Sequence, residues 1–124
     1  MSAPTPSLPL IAPAPGTPAL ADRPLIDTGQ AGRLADLFKV LGNDTRLRLL
    51  HAIHRGGEVR AGDLAAAVGM TQQAVSNQLQ RLVDKKICAT RREGTGIHYR
   101  IVDPCVPSLL EYGLCLVETP ATAQ

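Results

Sequence analysis

Three thiols and three imidazoles are the side chains of this 124-residue chain best suited to hold a soft ion or to form a bond through sulfur. The thiols are Cys88, Cys105 and Cys115. Three cysteines cannot close a disulfide framework. That points to a reducing compartment, the cytoplasm, where the thiols stay reduced or bind something. Cys105 and Cys115 are ten residues apart on a segment with helical spacing. In one straight helix that is about 15 Å, whereas two thiolates on one ion lie within about 4.6 Å of each other. One copy of that helix therefore cannot hold an ion between them. His51 and His54 have the three-residue spacing that permits shared binding, but no third ligand lies near them in sequence, so they read as packing residues. No cysteine has a histidine partner in sequence to act as its base, so no catalysis is expected and no organic cofactor is implied.

A second group of residues suits nucleic acid. From Thr71 to Asp84 the apolar residues Val75, Leu79 and Leu82 fall on one helical stripe. Gln73, Asn77 and Gln80 then face the other way, with Gln72 and Ser76 beside them and Thr71 as the cap. Amides offer a donor and an acceptor together to adenine in the major groove, and hydroxyls read either edge. Arg81, Lys85, Lys86, Arg91, Arg92 and Arg100 follow, opposed within that stretch only by Asp84 and Glu93. Such cations suit phosphate contacts that fix register while amides read sequence. The expected DNA set is Thr71, Gln72, Gln73, Ser76, Asn77, Gln80, Arg81, Arg91 and Arg92.

The elements needed to position these groups follow from the punctuation. Thr28 is expected to cap a first helix through Leu34, Leu37, Phe38 and Leu41, stopped by Gly42. Asn43 or Asp44 caps a second, ended by Gly56-Gly57, and a third runs from Ala61 or Gly62 to Val68. Gly69-Met70 then makes the tight joint of a helix-turn-helix. After Lys86 the period changes to alternation. Ile87–Arg92 and Ile97–Val102 read as strands around a turn centred on Gly94-Thr95, which puts Cys88 opposite about Ile101. Asp103-Pro104 opens a fifth helix bearing Leu109, Leu110, Leu114, Leu116 and Val117. The expected fold is mainly α with one β-hairpin, in the order α-α-α-α-β-β-α.

Composition agrees. Hydrophobic residues are 44% of the chain but aromatic ones only 2%, so a small aliphatic core is implied. A net charge of +2 with 19% charged residues excludes a uniformly cationic coat. No apolar run approaches the about 20 residues of a membrane span, so no membrane partner is expected. Residues 1–27, broken by Pro4, Pro6, Pro9, Pro13, Pro15 and Pro18, read as a disordered tail. Residues 28–118 form the folded domain and 119–124 a flexible C-terminal tail.

The stretch Leu37–Leu50 (LFKVLGNDTRLRLL) resembles the second-helix signature of the ArsR (ArsR/SmtB-type) family of winged-helix repressors. Gly62-Asp63-Leu64 with Thr71–Leu79 (TQQAVSNQL) resembles its recognition motif, and Arg92-Glu93-Gly94 through His98-Tyr99-Arg100 its wing. The family usually has His where Gln78 stands. The resemblance implies a winged helix-turn-helix homodimer, with the first and fifth helices at the dimer interface, that leaves double-stranded operator DNA when an effector binds.

The resemblance also bears on the effector. Asp103-Pro104-Cys105 and Cys115-Leu116-Val117-Glu118 are similar to the family's fifth-helix metal site, with Cys in both His positions and a spacer one residue shorter. In an antiparallel pair of fifth helices crossing near Leu110, Cys105 of one subunit meets Cys115 of the other, giving two equivalent sites. Thiolate for imidazole shifts preference toward thiophilic ions. The expected ligands are Cys88, Cys105 and Cys115, with Asp103 and Glu118 as further candidates, and the expected effectors Hg(II), As(III), Cd(II) or Pb(II). The alternative is a thiol-based redox or reactive-sulfur sensor of the same fold.

Overall fold

The computed structural model describes residues 18–118. Expectations for residues 1–17 and 119–124 lie outside the described residues. Within the expected tail, Leu20–Asp22 make one 3-10 turn with no buried residue.

Helix α1 spans Thr28–Leu41, and its cap is Asp27, one residue earlier than expected. Gln30 N–H donates to Asp27 Oδ1 at 2.8 Å, and Asp27 N–H donates back to Gln30 Oε1 at 2.9 Å. This reciprocal pair satisfies two donors at once, which a Thr28 hydroxyl alone would not. Helix α1 buries only Val40 and Leu41, at its end, while Leu34 and Phe38 stay exposed. Helix α2, Asp44–Gly56, is capped by the Asn43 side chain. It ends where Gly57 turns with φ +81°, and a Cβ on Gly56 would lie 2.6 Å from Val59 Cγ2. Only glycine tolerates either position easily.

A short strand that no periodicity announces follows, β1, Val59–Arg60. Helix α3, Ala61–Val68, stops at Gly69 in the left-handed region, and α4, Gln72–Asp84, opens on Thr71, whose hydroxyl accepts from Ala74 N–H at 3.1 Å. Strands β2, Cys88–Glu93, and β3, Gly96–Ile101, form the hairpin around a two-residue loop, Gly94-Thr95, tighter than the four-residue turn the sequence suggests. The sheet order is β1-β3-β2, all antiparallel, with Cys88 paired to Ile101 as expected. Helix α5, Cys105–Glu118, begins after Asp103, whose carboxylate accepts from Cys105 N–H at 2.9 Å.

One core joins these elements. Leu49, Leu50 and Ile53 of α2 meet Leu64 of α3 and Val75, Leu79 and Leu82 of α4, with Ile87 and Tyr99 closing the hairpin side. Burying each large aliphatic side chain contributes about 1.5–3 kcal/mol, so the outer face of α4 is held from beneath by its own apolar stripe. Helix α5 adds Val106 to the core and rests Leu109 and Leu110 against it. Its far end, Leu114, Leu116 and Val117, is exposed.

Candidate nucleic-acid interface and thiol site

Helix α4 presents the amide face that its spacing implies. Gln72, Gln73, Asn77, Gln80 and Arg81 are exposed and Ser76 half-buried, opposite fully buried Val75, Leu79 and Leu82. Gln73 donates to Asn77 Oδ1 at 3.2 Å and Gln80 to Asp84 Oδ1 at 2.8 Å, one turn on in each case. These bonds hold the amides in defined rotamers along the outer face. Gln78, where the family usually has His, does not belong to that face: its Oε1 accepts from Arg46 Nη1 at 2.6 Å.

Around α4 the cations divide into two kinds. Arg91 Nε donates to Glu58 Oε1 at 2.9 Å, and its Nη2 reaches both Glu58 and Glu93. The hydrogen bond to Glu58 raises Arg91 above its ordinary pKa, and the same bond lowers that of Glu58. Arg92 and Arg100 on the hairpin are exposed, and neither makes an ion pair among the described residues. Arg60, which sequence reasoning missed, lines a cleft of about 350 Å³ with Asp63, Gln72, Ser76, Thr95 and Tyr99. Its Nε lies 3.5 Å from His98 Nε2, and a Cβ on Gly96 would sit 3.1 Å from its guanidinium. The signal that could have found it is a glycine two places along β3 from His98, the strand partner of Arg60, which needs the β1–β3 pairing to be known.

The thiols separate by environment. Cys88 is 2% exposed, and burial pushes its thiol up to about 11. Cys105 is exposed in the first turn of α5, beside the Asp103 carboxylate that accepts its own N–H. Cys115 is half-buried near the other end of α5, and at 100° per residue it stands on the side away from Val106. Glu118 is exposed at the end of that helix. Within one chain, no three His, Cys, Asp or Glu side chains among the described residues stand close enough to hold a metal ion. Cys105 and Cys115, ten residues apart on α5, stand about 15 Å apart along that helix. His51 and His54 are exposed on α2. Among the described residues no helix is long and apolar enough to cross a membrane.

Comparisons agree with this geometry. A model of the MarR family matches residues 43–95, from the cap of α2 to the loop of the hairpin. The chain is 36% identical over 89 residues to a probable mercury resistance operon repressor of Streptomyces lividans, covering 72% of this chain and 70% of that one. It is 38% identical over 80 residues to a transcriptional repressor SmtB homolog of Synechocystis, of which it spans 60%, with 64% of this chain aligned. Among solved structures, the AntR antimony-specific transcriptional repressor superposes with TM-score 0.75 at 61% identity, covering 87% of this chain and 96% of that one. The homodimeric winged helix-turn-helix domain of Mb0332 from Mycobacterium bovis, described as a possible ArsR-family regulator, gives 0.66 at 28% identity over 80% and 91% of the two chains. With the helix-turn-helix, the wing and these relatives together, the chain belongs to the ArsR family of winged-helix transcriptional repressors.

Proposed function

We propose that this chain is a homodimeric repressor that grips operator DNA through α4 and the hairpin and lets go when a trivalent metalloid binds Cys105 of one protomer and Cys115 of its partner. The observation that carries the reading is the pair of thiols near the two ends of α5, the helix whose far-end leucines have no core beneath them. Cys105 and Cys115 each lie five residues from Leu110, about 7.5 Å along the axis. Two such helices crossing antiparallel at Leu110 bring each Cys105 to the partner's Cys115. The exposed Leu34 and Phe38 of α1 and Leu114, Leu116 and Val117 of α5 supply the apolar area the seam needs.

The relatives support the class of inducer. Likeness to an antimony-specific repressor over nearly the whole of that chain favours Sb(III) or As(III) over Hg(II), Cd(II) or Pb(II). Each thiol that replaces a hydroxide on the metalloid hands it a proton, so one water leaves for each sulfur bond formed. Asp103 and Glu118 are the acidic candidates for a further contact. Cys88, buried and held protonated, is a core thiol in this reading.

On the DNA side, Gln72, Gln73, Ser76, Asn77 and Gln80 read base edges. Thr71, Arg81, Arg92 and Arg60 meet the phosphate backbone, and Arg91 braces the wing through Glu58. Inducer binding favours the dimer shape that fits the operator less well, because a ligand shifts an equilibrium only by its differential affinity.

The test is release of a fluorescent duplex, selected from a random pool by the wild-type protein, on titration with Sb(III), As(III), Hg(II), Cd(II) and Pb(II). Wild type and Cys88→Ser are expected to release it with trivalent ions. Cys105→Ser and Cys115→Ser are expected to bind it and not respond. Full response in either of the last two overturns the sensing half.

A further inference from the structure

Arg46 of α2 is the buried charged side chain among the described residues, 8% exposed. Its Nε donates to the Val40 carbonyl at 2.6 Å, and its Nη2 lies 3.5 Å from the Lys39 carbonyl. Both carbonyls belong to the last turn of α1. From the other side of the same planar group, Nη1 donates to Gln78 Oε1, in the middle of α4, at 2.6 Å. Helix α1 buries only Val40 and Leu41 of its fourteen residues, at the turn that Arg46 holds. One cation therefore ties the base of a helix with an open outer face to the helix that carries the amide row. Burial and the nearby Arg81 cation both weigh against the Arg46 charge, so these acceptors are what hold it in place.

We infer that Arg46 and Gln78 form the mechanical link by which a change in the tilt of α1 reaches α4. They would thus be a positioning pair for the inducer response rather than contacts to DNA or metalloid. A guanidinium presents its donors in a rigid fork. When the α1 carbonyls move, the fork turns with them and draws Gln78, hence α4, along. The bond to the Val40 carbonyl is buried, and the one to Gln78 is part-buried, so the guanidinium is anchored on α1 and reaches α4 from there. Coupling of this kind needs an element with two arrangements that both sites bias, and a dimer seam built on α1 and α5 supplies that bias at one end. The inference rests on the reading of the chain as an inducer-released dimer.

The test compares Gln78→Met, which keeps length and loses the acceptor, with Gln78→Glu, which keeps an acceptor. Operator affinity is measured with and without Sb(III), added as antimonyl tartrate, and Sb(III) binding is measured on DNA-free dimer. Wild type should show an affinity ratio within the usual range for allosteric coupling, about 5- to 150-fold. In Gln78→Met the ratio should fall close to unity with Sb(III) binding unchanged, and Gln78→Glu should restore most of it. An unchanged ratio in Gln78→Met, or equal loss in both variants, overturns the link. Absence of release in wild type would instead overturn the proposed function itself. A measurement on the wild-type protein alone gives an independent check: the Arg46 Nε–H resonance should move when Sb(III) loads the dimer, and a fixed resonance contradicts the inference.

Discussion

Arg91 on β2 donates through Nε to Glu58, 33 positions earlier in the chain and just ahead of β1, at 2.9 Å. The wing thus closes on the body of the domain through an ion pair, and the charge of Arg91 is already matched before any phosphate arrives. Arg92, its neighbour, is exposed and carries no such partner among the described residues.

This relationship separates two arginines that look alike in sequence. Arg92→Ala and Arg60→Ala are each expected to lower the slope of log affinity against log salt by about 0.9, the value for one lost phosphate contact on duplex DNA. Arg91→Ala should change that slope less and should instead lower the melting temperature slightly. An exposed ion pair is screened by solvent and holds the fold only weakly. Salt titrations of the three variants against one duplex check this, and an equal slope change for Arg91 and Arg92 contradicts it.

The proposed role of the amide row is a different kind of contact. Gln73→Ala and Ser76→Ala should each reduce discrimination between selected and scrambled duplexes by about 1–3 kcal/mol per lost base contact. Affinity for the scrambled duplex should hardly change. The readout is competition binding with both duplexes in one tube.

Cys88 gives a prediction about pH. Its thiol is pushed from an ordinary 9.0 to about 11 by burial. The folded state therefore keeps a proton that the unfolded chain gives up. Stability from this group is complete below pH 9 and is lost as pH rises from there through about 11. Melting curves of wild type should consequently fall more steeply between those values than those of Cys88→Val. Burial raises the pKa of Tyr99 in both proteins, and the part of its rise that comes from Cys88 is lost in Cys88→Val, which widens the difference in the same direction. Parallel curves would show that Cys88 is not held protonated.

Cys88→Ser should be a stability variant only. A hydroxyl among apolar neighbours costs about 1–3 kcal/mol if unpaired, so the melting temperature should drop while metalloid-driven release persists. Loss of release in a folded Cys88→Ser dimer would make Cys88 a ligand after all.

Much of the shape of α4 and its exposed amide face was legible because its causes are local. Thr71 as cap, the Val75–Leu79–Leu82 stripe and Gly69 as the joint all follow from spacing along one helix. The pairing of Cys88 with Ile101 followed from centring the turn on Gly94-Thr95. What could not be read were contacts between residues far apart in sequence. Arg46 with Gln78, Arg91 with Glu58 and Arg60 against Gly96 all join different elements, and nothing in either partner's own neighbourhood announces the other. Strand β1, two residues long, is too short to show a period and exists because β3 offers it an edge. Asp27 outcompeted Thr28 as cap because Gln30 stands where it can return the hydrogen bond.

The placement of the thiols was legible in part for a related reason. Helical rise alone excludes Cys105 and Cys115 from one ion within one chain, so a site that uses both thiols has to lie between copies. Burial, which decides the role of Cys88, depends on how Ile87, Tyr99 and Val106 pack into the same core, and that is tertiary.

Metalloid sensing at the dimer seam requires that sulfur atoms from two protomers share one ion. Mixed dimers of Cys105→Ser and Cys115→Ser protomers test this directly, because crossing the two variants leaves one intact Cys105–Cys115 pair between subunits and none within either. Sb(III) stoichiometry should be two per wild-type dimer, none for either variant alone and one for the mixed dimer. A mixed dimer that binds none, or either variant alone binding as wild type does, would contradict a site built across the seam.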